Sequence, residues 1–141
     1  MSNLSWFRRD EKSISRLELR SYQSDIVDKI LPEMDRQGNF STVIDLATGG
    51  GKTLTMERYC ENVFEDGNKV LWLCDIVELL NQAIDTFSKQ GIDGVSYQLV
   101  SGSGTSINNI DTKTNILFVS MGMLRGFKND DNFRGFVDWL V

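Results

Sequence analysis

One stretch limits what this chain can fold into more than any other: residues 41–56, STVIDLATGGGKTLTM, an apolar run, three consecutive glycines, then a lysine and a threonine opening a second amphipathic segment. Thr42, Val43 and Ile44 are the β-branched types that favour a strand. Leu54, Tyr59 and Val63 are apolar or aromatic positions in the segment that follows, which reads as a helix. The order strand, glycine loop, helix is the one a bound triphosphate requires, because its oxygens have to be wrapped by backbone N–H groups. Glycines at 49, 50 and 51 let the main chain turn that tightly with no Cβ in the way. Lys52 is then expected to reach the β- and γ-phosphates as the candidate catalytic charge, and Thr53 to ligate Mg²⁺ through its hydroxyl. The helix opening there points the positive end of its dipole at the anion. The strict spacing has glycine six positions before the lysine, where this chain has Leu46; Ala47, Thr48, Gly49, Gly51, Lys52 and Thr53 satisfy the shorter form. A glycine-rich surface turn arising by chance would seldom have a β-branched run before it and an amphipathic helix after it.

Composition narrows the rest. The 141 residues have room for one domain with a real core, and 40% apolar with 10% aromatic residues is ordinary for a globular protein. A net charge of −5 argues against a protein that coats nucleic acid indiscriminately, although a local basic groove is compatible with it. With no histidine, every histidine-based mechanism and most zinc sites are excluded, which leaves nucleotide-bound Mg²⁺ as the expected metal. Two cysteines form no disulfide framework, there is no secretory leader pattern, and no apolar run reaches 18 residues. The expected setting is cytoplasmic, with no membrane partner.

Residues 1–16 mix Trp6 and Phe7 with Arg8, Arg9, Lys12 and Arg16 without a sustained period, and read either as a solvated or partly packed arm or as a basic contact to nucleic acid. Residues 19–37 keep helical spacing at Tyr22, Ile26, Ile30 and Met34, with Val27 and Leu31 beside them; Pro32, the one proline, is expected to kink or divide that helix. The helix after the glycine loop should run to about Asp66 and stop at Gly67. Residues 69–74 form a nearly continuous apolar strand, 76–90 a helix with Leu79, Leu80, Ala83, Ile84 and Phe87 on one side, 95–100 a short strand, 101–106 a flexible loop, 116–119 a buried strand and 120–126 a short helix. Residues 136–141 begin as another buried strand. Trp72 and Phe118 belong to the core, and Trp6 and Trp139 stay unassigned. Alternating strands and helices from residue 41 onward predict βαβ units in a parallel sheet covered on both faces, with the ligand at the carboxyl ends of the strands.

With these pieces in order, the sequence resembles the first RecA-like, DEAD-like motor domain of superfamily 2 helicases and translocases, in the form carried by the motor subunits of type I and type III restriction enzymes and related DNA repair helicases. Residues 19–23, LRSYQ, look like the element that opens that domain, whose glutamine reads the adenine edge. Residues 46–53 look like motif I, residues 73–82 (LCDIVELLNQ) like motif Ia, and residues 117–124 (LFVSMGML) like motif Ib, a strand whose hydroxyl residue and following turn touch the nucleic-acid backbone. The resemblance covers residues 18–141 and leaves 1–17 as an N-terminal extension. It implies a P-loop NTPase fold, nucleotide binding by Arg20, Gln23, Thr48, Gly49, Gly50, Gly51, Lys52 and Thr53, and nucleic-acid contacts from Glu78, Gln82, Ser120, Met121 and Gly122. ATP and Mg²⁺ are the implied cofactors. Nucleic acid, DNA in preference to RNA, is the implied partner, with nuclease or methylase subunits alongside.

Where the family often has arginine or lysine after the motif Ia strand, this chain has Asp75, Ile76 and Val77. No Asp-Glu-x-His or Asp-Glu-Ala-Asp sequence occurs, and residues 136–141 look like the strand that would lead into it. The leading expectation is therefore the N-terminal, ATP-binding part of an ATP-dependent helicase or translocase, incomplete at its C-terminus and without turnover by itself. The alternative is a short regulatory module that binds nucleotide without hydrolysing it. Asp45 and Asp75 are the acidic residues that stand nearest the phosphate end. At single residues other readings stay open: Gln23 as a surface helix residue, Ser120 as a helix cap, Glu78 and Gln82 as a local pair.

Overall fold

The computed structural model of the chain describes residues 4–7, 16–46, 51–101, 109–127 and 133–140. Among them is a four-stranded sheet built from β1 (Ser5–Trp6), β2 (Val70–Cys74), β3 (Ser96–Val100) and β4 (Ile116–Ser120), in the order β1-β3-β4-β2. β4 pairs in parallel with β2 on one side and β3 on the other, and β1 lies antiparallel against β3. β4 is central because it is apolar on both pleat faces: Ile116, Leu117, Phe118 and Val119 are all completely buried.

Those two faces make two cores. Ile116 and Phe118 pack with Phe7, Val95, Cys60 of α3 (Lys52–Glu65) and Leu80, Ala83 and Phe87 of α4 (Val77–Gln90). Leu117 and Val119 pack with Val100, with Met123 and Leu124 of α5 (Met121–Phe127), and with Phe136 and Trp139 of α6 (Phe133–Leu140). The first core is strongly aromatic. Phe7 stacks on Tyr97 at 4.1 Å, and Phe87 meets both Phe118 and Trp72 edge-on at 5.4 Å. Part of the N-terminal arm is thus in the sheet and the core, with Trp6 exposed on β1; Arg8, Arg9 and Lys12 lie outside the described residues.

The helix expected over residues 19–37 is α1 (Ser21–Asp25), a π-helical turn (Ile26–Ile30) and α2 (Leu31–Arg36) without a break. In that turn the Leu31 N–H reaches back five residues to the Ile26 carbonyl, a widening just ahead of Pro32, whose ring would otherwise crowd the carbonyl four residues before it. Its buried line is Gln23, Val27 and Leu31, one position on from the expected stripe: Tyr22 and Ile30 are exposed, and Ile26 and Met34 are half-buried.

Three further expectations are corrected. Residues 42–44 form no strand, and Val43 is 89% exposed; a β-branched run gains little until a ladder partner lies beside it, and none of the four strands takes it up. Residues 136–140 belong to α6, where Phe136 and Trp139, three apart, share the buried face while Val137 and Leu140 are exposed. Leu79 of α4 and Leu73 of β2 are exposed, the latter because β2 is the outer strand of this sheet. The α3 stop is as expected, with Gly67 at φ 77° and Asn68 N–H bonded to the Val63 carbonyl. Of the 101–106 loop, residues 102–106 lie outside the described residues. Among the described residues no helix is long and apolar enough to cross a membrane.

Candidate nucleotide site

The site is organised around Gly51, which caps the N-terminus of α3 in the left-handed conformation (φ 74°, ψ 39°). Its carbonyl collects three donors: the Thr55 N–H at 2.9 Å, the Thr55 hydroxyl at 2.7 Å and the Gln23 amide Nε2 at 3.3 Å. Gln23 also donates to Thr55 Oγ1 at 3.1 Å and accepts the Arg20 N–H at 2.8 Å through Oε1. It is 4% exposed, which excludes the surface-helix reading. The positive φ favours glycine at 51, and a Cβ there would also have to push the Gln23 amide off its bonds to Gly51 and Thr55.

Lys52 is the first residue of α3 and is exposed; Thr53 follows half-buried, and no acidic side chain stands in the first turn. The open N–H groups and dipole of a fourteen-residue helix, a cation and a hydroxyl therefore meet at one end with no opposing carboxylate in that turn, a donor set that suits a phosphate anion with its magnesium. Thr48, Gly49 and Gly50 lie outside the described residues. Beside this end is a hollow of about 220 Å³ lined by Leu17, Glu18, Arg20, Tyr22, Gln23, Gly51 and Leu54. A larger hollow, about 460 Å³, is lined by residues 67–69, Leu71, Trp139 and Leu140. It adjoins the C-terminal end of α3, roughly 20 Å of helix from Lys52, and has no part in the phosphate end.

Of the remaining candidates, Ser120, Met121 and Gly122 fall at the carboxyl end of β4. Cys74 and Ser120 are register partners that end β2 and β4. Ser120 Oγ accepts the Met123 N–H at 3.3 Å and so caps α5, with Met121 half-buried and Gly122 exposed in the first turn. Glu78 and Gln82 lie exposed on α4, and Asp45 and Asp75 are exposed as well.

Sequence reasoning missed the polar residues beneath the site. Thr55, Glu57 and Arg58 are buried on α3, while Leu54, Tyr59 and Val63, which were expected to carry its apolar face, are only half-buried. Arg58 donates to Glu57 Oε2 at 3.2 Å and to the Leu17 carbonyl at 2.9 Å; Arg16 Nη2 donates to both oxygens of Glu61 at 2.8 Å. Burial foremost, then the hydrogen bond and charge of Glu61, pushes Glu57 up to about 9 against the pull of Arg58 and Arg16, so it is protonated at neutral pH. Burial likewise pushes the Cys60 thiol up to about 12. The available signal was polar residues at 55, 58 and 61, one helix face apart from the apolar ones.

Comparison with known proteins finds one family: the type III restriction enzyme, res subunit, whose family model matches residues 16–138. No curated protein and no solved structure matches the chain.

Proposed function

The chain belongs to the type III restriction enzyme res subunit family, a RecA-like P-loop motor domain of the ATP-dependent, helicase-like kind, and from that premise we propose that residues 18–141 are the ATP-binding part of a DNA helicase or translocase of superfamily 2 acting in restriction, repair or phage defence. The observation that carries the reading is Gln23: an amide on α1, buried and bonded to the carbonyl of the glycine from which the lysine-bearing helix springs.

Lys52 and the first-turn N–H groups of α3 hold the phosphates, the Thr53 hydroxyl holds Mg²⁺, and Arg20 and Gln23 border the hollow that takes the base, with Tyr22 and Leu17 as its less polar walls. ATP brings the phosphoryl bond whose hydrolysis drives such motors, with Mg²⁺ neutralising its charge. Thr48, Gly49 and Gly50 are the further phosphate-binding residues proposed from the sequence. Ser120, Met121 and Gly122, with Glu78 and Gln82, are the proposed contacts to DNA. At a net charge of −5 that contact has to be local, one edge of an acidic body. Nuclease or methylase subunits are the proposed partners, and the cytoplasm, in keeping with two free cysteines, the proposed location.

Calorimetry with Mg-ATP on the wild type and on Lys52→Ala tests the reading. Binding by the wild type and loss of at least tenfold in the variant, roughly the worth of one charge-assisted contact to phosphate, is the expected result. Equal affinity in both would remove the phosphate assignment.

A further inference from the structure

Residues 16–23 form a strap whose two ends are fastened to the same helix. At one end Gln23 bonds to Thr55 and Gly51. At the other, Arg16 grips both carboxylate oxygens of Glu61 at 2.8 Å, and Arg58 holds the Leu17 carbonyl at 2.9 Å. The Leu17 N–H is taken as well, by Gln90 Oε1 of α4 at 2.7 Å. Thr55, Arg58 and Glu61 recur every three residues and so share one face of α3. The fastenings therefore sit about 9 Å apart along a stiff rail. The hollow beside Gly51 lies along the strap between them, yet neither Arg58 nor Glu61 lines it.

We propose that the Arg16–Glu61 clasp, with Arg58 on the Leu17 carbonyl, sets the width of the base-side hollow, which makes Glu61 and Arg58 positioning residues for the base of the nucleotide. The proposal rests on the reading of that hollow as the base site. Three features favour a positioning role over a solvated ion pair. Glu61 is fixed through both oxygens, its side chain is 14% exposed, and that of Arg58 is 9% exposed, so water screens the contacts little. Glu61 also stands 3.9 Å from Arg58 Nε, so the two anchors of the strap lie beside each other on α3. The Arg16 end costs little to alter, since its side chain is about a third exposed.

The test compares Mg-ATP with inorganic tripolyphosphate, which has the phosphates and no base, on the full 141-residue chain. Glu61→Gln should weaken Mg-ATP about tenfold and leave tripolyphosphate unchanged, the loss of one hydrogen-bonded charge contact being felt only by a ligand that needs the strap. Arg16→Gln should do the same, and serves should Glu61→Gln fail to fold. A parallel fall for both ligands, or no change for either, overturns the proposal by reducing the clasp to a stabilising contact. A wild type that binds ATP no better than tripolyphosphate removes the base site itself and the proposal with it, a failure visible before any variant is made.

Discussion

Gly51 and Glu57 are the two residues at which the local chemistry is most exacting. Gly51→Ala meets two penalties, a left-handed backbone and a Cβ driven into Gln23, whereas Gly67→Ala meets only the first, at φ 77° with open space around it. Gly67→Ala should therefore cost about 1 kcal/mol in urea unfolding, and Gly51→Ala clearly more, together with most of the Mg-ATP affinity. Gln23→Ala should weaken ATP more than GTP in a competition assay when the bound base draws the amide away from Gly51 and Thr55, to which it is bonded in the free chain; an unchanged preference would leave Gln23 as a strut for Gly51. Glu57 binds its proton more tightly folded, up to about 9, than unfolded at 4.5, so the folded state holds more protons between those values. Its contribution is complete below 4.5 and is lost as pH rises toward 9. Glu57→Gln keeps the shape and removes the titration; its melting temperature should fall less steeply than wild type from pH 5 to pH 9 and exceed it at the alkaline end.

Among the elements, α6 separates two readings of one apolar run. In a strand Val137 and Trp139 would share a face; in the helix Phe136 and Trp139 do, and the Trp139 indole N–H donates to the Thr114 carbonyl at 2.8 Å. Phe136→Ala should cost about 3 kcal/mol and Val137→Ser within about 0.5 kcal/mol, measured by chemical unfolding. Comparable losses at both would restore the strand. Runs this short give a sequence reader no period to work with. β4, α3 and α4 were legible because each has its own local signal: an unbroken apolar run, a glycine stop, a helical stripe ended by Gly91. Residues 42–44 were not, because β-branched side chains state a preference that only a neighbouring strand can satisfy. The strap was illegible for a related reason, since Thr55, Arg58 and Glu61 look like a solvated face until Gln23, Leu17 and Arg16, 32 to 45 residues earlier in the chain, are seen to bond to them.

At the scale of the molecule, phosphate end, strap and both cores converge on α3 and the sheet it covers, so a ligand held at Lys52 should stabilise the whole. At a hundredfold excess over its dissociation constant, Mg-ATP should add about 2.7 kcal/mol, seen as one raised and still single unfolding transition that Lys52→Ala no longer shows. The sheet, by contrast, is held unevenly. Among the described residues β4 is enclosed between two strands, while β2 has β4 on one side only. The Val70 N–H bonds to the Asn115 carbonyl, and the alternation of a parallel ladder then turns the Trp72 and Cys74 amides toward β4 and those of Leu71 and Leu73 away from it. Deuterium should therefore enter this strand in alternation: quickly at Leu71 and Leu73, slowly at Trp72, and at Phe118 and Val119 only when the domain opens as a whole, so that two neighbouring amides on one strand report two different free energies of opening.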